Sequence, residues 1–229
     1  MRPILVIIGL IISLSTYCQS LIDKMGLESC KCLNTINADG DSEQTWEKFN
    51  TTCWSRIIEQ FKDDINALEF DTTDTEIAEV PEYKRGYELG KIVGVRVFTN
   101  MIDNCDEFYE IFKKMIPKVI DPNTVPIYGE GEIDSLTNHI ELGINLFDNY
   151  CDRAIAYYKK SKTKKAISDL DKAIELKPDQ PTPHIYKGII HRNNKKYCSA
   201  AKEFETAYQL GSNPMILIFS RILIRECGN

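Results

Sequence analysis

The sequence predicts an all-α protein: an N-terminal helical domain, then an α-solenoid of two helix hairpins with a C-terminal capping helix. Three observations support this prediction. Apolar residues recur at steps of three and four in the first half of the chain, as they do along one face of a helix. The second half holds two copies of a pattern offset by 34 residues. A strongly apolar segment, 214–227, follows the second copy.

The segment 1–20 predicts a secretory signal peptide that belongs to neither domain. Arg2 precedes an apolar run from Ile4 to Leu14, and small polar residues follow, which is the layout of an export signal. The run is shorter than the roughly 20 residues that cross a bilayer. We expect cleavage after Cys18 or Ser20, an extracytoplasmic mature chain (periplasmic or secreted), and no stable membrane insertion afterwards. The alternatives are an uncleaved membrane anchor and lipidation of Cys18.

The charge changes sign along the chain. Residues 21–146 hold 25 acidic and 12 basic residues, whereas residues 147–229 hold 9 acidic and 15 basic residues. Such a split indicates two distinct parts. A segment rich in Pro and Gly separates them. The predicted organisation is a signal peptide at 1–20, an acidic cysteine-bearing helical domain at 21–120, a linker at 121–133 and a repeat domain with a capping helix at 134–229.

The acidic half is predicted to be helical. The stretch from Ser42 to Phe70 forms one apolar stripe, with Ser42 capping its start, and a helix at 21–36 precedes it. A further helix carries Gly86, Gly90 and Gly94 on one face. We expect these glycines to admit a close neighbour, since their spacing does not fit a phosphate-binding loop.

Cysteines are abundant in the predicted mature chain. It keeps seven under either cleavage: Cys30, Cys32, Cys53, Cys105, Cys151, Cys198 and Cys227. All except Cys151 are disulfide candidates, because an exported chain can hold disulfides, and an odd number leaves one thiol unmatched. The segment from Cys198 to Gly211 is as long as the segment from Pro214 to Cys227. Equal arms of an antiparallel helix pair predict a Cys198–Cys227 disulfide.

The 34-residue pattern resembles the tetratricopeptide repeat. Frames beginning at Phe147 and Pro181 place matching residues at positions 4, 8, 11, 20, 24, 27 and 32. These are Tyr150, Ala154, Tyr157, Ala166, Leu170, Ala173 and Pro178, then His184, Gly188, His191, Ala200, Phe204, Ala207 and Ser212. The alternation of large and small residues on paired helices is typical of that family. At least three units are usually needed for a continuous core, so the flanking segments are expected to complete the stack.

The resemblance implies a peptide-binding groove along the first helix of each repeat. The partner-binding residues that it implies are Asp148, Ile155, Tyr158, Lys159, Ile185, Ile189, Arg192 and Asn193. The carboxylate clamp of some family members is absent, because Cys151, Ile155, Ile185 and Ile189 occupy its positions. The groove is therefore expected to be apolar with a basic rim. The open alternative is that neighbouring parts of the chain fill it.

The sequence predicts an exported, non-enzymatic interaction or scaffold protein. Its partner is expected to be a protein or peptide, with an acidic segment opposite the basic rim, and not nucleic acid. No cofactor or metal is expected, since the histidines lack zinc-site spacing. The alternative function is thiol redox or metal handling through Cys30 and Cys32.

The acidic half also resembles exported helical proteins of Bacteroidetes. The residues that carry this resemblance are Cys30, Cys32, Cys53, the glycines from Gly86 to Gly94, and Cys105 with Phe108. The resemblance implies a compartment rather than an activity.

Overall fold

The protein is all-α. The computed structural model describes residues 19–36, 41–67, 82–119, 133–211 and 213–228, and these contain helices and turns without a strand. The predicted signal peptide falls almost wholly outside the described residues, as does the proposed linker. None of the described helices is both long and apolar enough to traverse a bilayer. The chain divides into two compact units, Met1–Phe112 and Lys113–Asn229.

The described helices of the first unit follow one another with short breaks. They are α1 at 19–33, α2 at Ser42–Lys48, a π-helical turn at Phe49–Trp54, α3 at Ser55–Gln60, α4 at Lys62–Asn66, α5 at Glu82–Asn104 and α6 at Asp106–Val119, which extends into the second unit.

The predicted single helix from residue 42 is interrupted, and its cap lies one residue earlier than expected. A π-helical turn follows α2, and Phe61, with φ −104° and ψ 13°, separates α3 from α4. The cap is Asp41 rather than Ser42, because its extended backbone lets Oδ1 accept from the amides of Glu43 and Gln44, each at 3.0 Å. The apolar stripe still faces inward, since Cys53 is fully buried.

The core of the first unit is a cluster of aromatic rings. Trp46 meets Phe112 edge to face at 5.0 Å between centroids, and Phe108 lies 4.6 Å from Phe112. Phe49 and Phe98 complete the cluster. Edge-to-face pairs at this separation are favourable because a ring edge is positive and a ring face is negative. Tertiary packing of this kind offsets the breaks in the helices that supply the rings.

The glycine face of α5 does not serve the expected close approach throughout. A β-carbon at Gly90 would meet nothing within 4 Å, and one at Gly94 would lie 3.6 Å from Trp54, an ordinary contact. The tight site is Gly26 of α1, where a β-carbon would lie 2.3 Å from the Asn100 side chain. Asn100 Nδ2 donates to Asp23 of the same helix as Gly26 at 2.9 Å.

The second unit is a series of antiparallel helices in which each packs on the next. They are α7 at Ile133–Glu141, α8 at Leu146–Lys159, α9 at Thr163–Leu176, α10 at Thr182–Asn193, α11 at Tyr197–Gln209 and α12 at Met215–Cys227.

The turns within the two repeats have the same backbone geometry. Ser161 and Lys195, which occupy the same position in their respective frames, both adopt positive φ, at 58° and 59°. The following amide bonds back to the helix in each turn, Lys162 N to Tyr157 O at 2.8 Å and Lys196 N to His191 O at 2.9 Å. Five-residue back-bonding across a left-handed residue is a Schellman cap. The offset in the sequence is therefore matched by an offset in structure.

The small residues of the pattern lie where the helices touch. Seven of the matched positions are fully buried, namely Ala154, Ala166, Leu170 and Ala173 in the first repeat and Ala200, Phe204 and Ala207 in the second. Gly188 lies so close to the Phe204 ring that a β-carbon there would meet it at 2.6 Å. Glycine lowers the helix propensity in the middle of α10, but it leaves room for the Phe204 ring in the core.

The flanking helices supply the neighbours that two repeats lack. Leu136 of α7 is 4% exposed and lies exactly one repeat length before Leu170 in the sequence. Leu223 of α12 is 3% exposed and lies one repeat length after Ile189. Both helices therefore continue the register, α7 as a second helix and α12 as a first helix. The stack then has an apolar layer on each side of the two complete repeats, which is what repeat stability requires.

Candidate partner-binding surface of the repeats

The structure brings three of the implied groove residues into one polar cluster. Asn193 Nδ2, at the end of α10, donates to Tyr158 Oη, at the end of α8, at 3.0 Å. Arg192 Nη1 donates to Asn193 Oδ1 at 2.8 Å. All three side chains are part-buried and Lys159 beside them is exposed. The arrangement holds a phenol ring and a guanidinium at the surface in fixed relation.

The implied apolar groove floor is not open, which corrects the sequence-based expectation. Ile155 is 4% exposed and Ile189 is 3% exposed, so neither offers side-chain surface to another molecule. Ile185 is part-buried and Asp148 is exposed. Frame positions name the face of a helix, but they do not state what covers that face. The side chains of Tyr158, Arg192 and Asn193 are less buried than these two isoleucines.

Two buried residues of α8, Cys151 and Asp152, were not among the predicted partner-binding residues. Burial, followed by the negative charges of Asp152 and Asp148, raises the pKa of the Cys151 thiol to about 12. Burial, followed by repulsion from Asp148, raises the pKa of Asp152 to about 6. Asp152 is 8% exposed. The available signal was an acidic residue four positions after Asp148 on an otherwise packed face.

Replacing Asp152 with asparagine should stabilise the protein near neutral pH. Because the folded-state pKa is raised above the unfolded value of 3.8, the stability from this group is full below that value and is lost as pH rises through about 6. We expect Asp152→Asn to gain about 1–2 kcal/mol near pH 7.5 and almost nothing near pH 4, on the scale of about 1.4 kcal/mol per pKa unit.

Urea unfolding followed by far-ultraviolet circular dichroism measures this gain. Asp148→Asn is the matched control, since it removes only the repulsion and should gain less. A loss of stability in Asp152→Asn near neutral pH, or an equal gain at both pH values, would contradict the assignment.

The histidine at an aromatic position of the second repeat is held by an ion-pair network. His184 Nδ1 lies 2.7 Å from Glu203 Oε2, and Lys187 Nζ lies 3.0 Å from both Glu203 Oε1 and Asp171 Oδ1. Burial alone would raise the pKa of Glu203, but hydrogen bonds from His184 and Lys187 lower it overall. The imidazole of His184 therefore links α10 to α11 by a polar contact, whereas the first repeat has the aromatic ring of Tyr150 at the matching position.

The cysteines that suggested a redox pair are bonded to separate neighbours. Cys30 is bonded to Cys105 and Cys32 is bonded to Cys53, with Cα–Cα distances of 5.9 and 5.7 Å. Two residues along an α-helix point to nearly opposite sides, so α1 uses them to join two different segments. Within the described ranges, Cys30, Cys105 and Glu107 form a cluster that could hold a metal, but both sulfurs are already in the disulfide.

The remaining disulfide joins the last two helices. Cys198 of α11 is bonded to Cys227 of α12, with 5.0 Å between the Cα atoms, which is the pair predicted from the equal arms around the turn. Cys151 is the free cysteine of the described residues and it is buried. Its raised pKa keeps it a neutral thiol at ordinary pH.

Comparison with known proteins supports the repeat assignment at low identity. A 101-residue match to a tetratricopeptide repeat protein 36 homolog from Drosophila melanogaster is 28% identical and covers 41% of this chain and 55% of that protein. An 83-residue match to a protein SGT1 homolog from Bos taurus is also 28% identical and covers 36% of this chain and 25% of that protein. The chain thus spans about half and about a quarter of these relatives.

Other comparisons do not extend this result. No family model matches the chain, and no solved structure matches it. Neither relative is bacterial, so the resemblance of the acidic half to exported Bacteroidetes proteins stays a prediction. The chain is similar to proteins that contain tetratricopeptide repeats.

Proposed function

We propose that the protein is an exported, non-enzymatic interaction or scaffold protein whose repeat unit binds a protein segment. The observation that supports this most is the cluster of Tyr158, Arg192 and Asn193, which joins the ends of two first helices at the surface. Similarity to tetratricopeptide-containing proteins is consistent with a protein-binding role. Tyrosine and arginine are enriched among residues that dominate binding energy.

The proposed contact differs from the fully apolar groove that the resemblance implied. Because Ile155 and Ile189 are buried, the partner would meet the phenol ring of Tyr158 and the guanidinium of Arg192, with Lys159 at the rim. A cationic rim favours an acidic flank on the partner and speeds encounter more than it strengthens the final complex. The buried isoleucines would support the cluster from below.

Capture of partners by variants tests this proposal. Disulfide-intact chain is immobilised, incubated with the native envelope fraction, and the captured proteins are quantified by mass spectrometry. Tyr158→Ala combined with Arg192→Ala should weaken capture by about 2 kcal/mol or more. Tyr158→Phe is the control, since it keeps the ring and removes only the hydroxyl that accepts from Asn193.

The stability of the same variants separates binding from packing. If the double variant captures the same proteins as the parent but melts much earlier, the cluster is internal packing and the binding proposal fails. Arg221→Ala, at an exposed position on α12, should change neither capture nor melting temperature.

Export is the second part of the proposal. An oxidising compartment is where disulfides persist, and three cysteine pairs are bonded in the structure. We expect the mature chain to begin at Gln19 or Leu21, after removal of the apolar segment. Intact-mass measurement of the native protein checks this, and a main species that retains Met1 would rule the export proposal out.

A further inference from the structure

The ends of the two repeat hairpins carry an unusual concentration of positive charge. Residues 157–168 contain five lysines and no acidic residue, and residues 191–202 contain four basic residues and no acidic residue. These segments enclose the two matched turns at Ser161 and Lys195. The basic excess of the second half of the chain is therefore concentrated at one end of the hairpins.

The two turns lie side by side. The hydrogen bond between Tyr158 and Asn193, at 3.0 Å, joins residues that lie three and two positions before Ser161 and Lys195. Identical backbone geometry at the turns then points the two segments the same way. We call the exposed lysines at and beside these two turns the basic edge, and we count Lys159 with the rim of the neighbouring cluster. It comprises Lys160, Lys162, Lys164, Lys165, Lys195 and Lys196, all of them exposed.

The basic edge is not neutralised within the described part of the chain. None of its six lysines forms an ion pair there, whereas Lys172 pairs with Glu175 at 2.6 Å and Lys187 pairs with two carboxylates. Lys162 and Lys165 instead lie over the Tyr157 ring, at 6.0 and 5.3 Å from its centroid. A ring face attracts a cation without cancelling its charge.

We infer that the basic edge binds an acidic segment of a partner protein. This inference rests on the proposed function, because the basic edge is continuous with the cluster of Tyr158, Arg192 and Asn193. A segment that ends at the cluster would continue across the two turns, with its carboxylates opposite the lysines. Lysine presents a mobile point charge rather than a planar fork, so the surface selects acidity more than one particular sequence.

The position of the apolar side chains favours a protein partner over a lipid surface. Leu142, Ile144 and Leu176 are exposed, but they lie at the opposite ends of the helices from the two turns. Ile224 is also exposed and lies near the end of α12 that the Cys198–Cys227 disulfide joins to α11. A helix of 14 residues such as α9 separates its ends by about 20 Å. Peripheral membrane binding combines cationic residues with several apolar residues that enter the acyl boundary, and here, among the described residues, a single exposed isoleucine lies at the end that carries the lysines.

A labelled acidic peptide tests the inference. The probe is a short fluorescein peptide of alternating glutamate and serine, with a glutamine-for-glutamate peptide as its control, and binding to the full disulfide-intact chain is read by anisotropy. Lys164→Glu with Lys196→Glu should weaken binding about tenfold, and rising salt should weaken binding to the parent. Lys172→Glu with Lys177→Glu makes the same change in net charge away from the two turns and should alter binding less than about twofold.

Two further outcomes would overturn the inference. Equal loss in both double variants would indicate attraction by net charge alone. Tighter binding of anionic phospholipid vesicles, or of a duplex DNA, than of the acidic peptide would assign the basic edge to a membrane or to nucleic acid. If the variant with Lys164→Glu and Lys196→Glu loses the peptide while the variant with Tyr158→Ala and Arg192→Ala still captures partners, the inference about the basic edge is supported and the proposed function of the cluster is wrong. The reverse result supports the cluster and contradicts the inference about the basic edge.

Discussion

Replacing Asp169 with alanine should lower the free energy of unfolding by about 2–4 kcal/mol, because it leaves a part-buried guanidinium without its counter-charge. Arg153 Nε and Nη2 donate to the two carboxylate oxygens of Asp169, each at 2.8 Å. The two side chains are only 14% and 9% exposed. Arg153 Nη1 also donates to Thr137 at 3.0 Å. A single guanidinium therefore ties α8 to both α7 and α9.

Matched variants separate this effect from loss of surface charge. Lys172 and Glu175 form a pair at 2.6 Å on the same helix as Asp169, but the side chains are 54% and 63% exposed. Solvent screens exposed pairs, which contribute little to stability, so Glu175→Ala should cost far less. Replacing both Arg153 with methionine and Asp169 with leucine should recover most of the stability lost in Asp169→Ala.

Far-ultraviolet circular dichroism in urea is the appropriate readout for this pair. Both tryptophans, Trp46 and Trp54, lie in the first unit, so their fluorescence does not report directly on α8 and α9. If Asp169→Ala costs no more than Glu175→Ala, the ion pair does not hold these helices together.

The repeat could be predicted from the sequence because small residues at fixed spacing record helix contacts. Ala166 and Ala200 share a sequence role and are both fully buried. His184 matches Tyr150 in the repeat frame, but the contact that its side chain makes could not be predicted from that position. A ring at that position packs, whereas the imidazole pairs with Glu203, which belongs to the next helix. Frame position states where a side chain points, and the partner it meets depends on another helix.

The occupancy of the groove floor could not be predicted for the same reason. Ile155 and Ile189 occupy positions that face a groove in the family pattern, yet both are buried. The π-helical turn within 42–66 could not be predicted either. Apolar residues at steps of three and four still form one apolar stripe when such a turn is present. Phe49, in that turn, and Ile57, after it, are each 1% exposed.

Removing the Cys30–Cys105 disulfide should lower the free energy of unfolding more than removing either of the other two disulfides. Cys30 and Cys105 are 75 residues apart, against 21 for Cys32 and Cys53 and 29 for Cys198 and Cys227. The entropy lost by the unfolded chain on cross-linking grows with the logarithm of loop length, which gives about 4.5 kcal/mol for the longest loop and about 3.5 kcal/mol or less for the others.

Tryptophan fluorescence in urea measures this loss directly, because Trp46 belongs to the aromatic cluster against Phe108 and Phe112. We expect the Cys30→Ala/Cys105→Ala variant to unfold at markedly lower urea than Cys32→Ala/Cys53→Ala. Cys151→Ser serves as a control for loss of a cysteine that is not cross-linked.

Alkylation of the unfolded, unreduced protein establishes that the three bonds exist. Among the cysteines from Cys30 onward, only Cys151 should be labelled, and only after unfolding, because burial raises the pKa of its thiol to about 12. Rapid labelling of Cys30 and Cys32 in the native protein would contradict the disulfide framework and return these two residues to a redox role. With Cys30 bonded to Cys105 and Cys32 bonded to Cys53, α1 joins the junction of α5 and α6 to the π-helical turn, with one bond from each side of the helix.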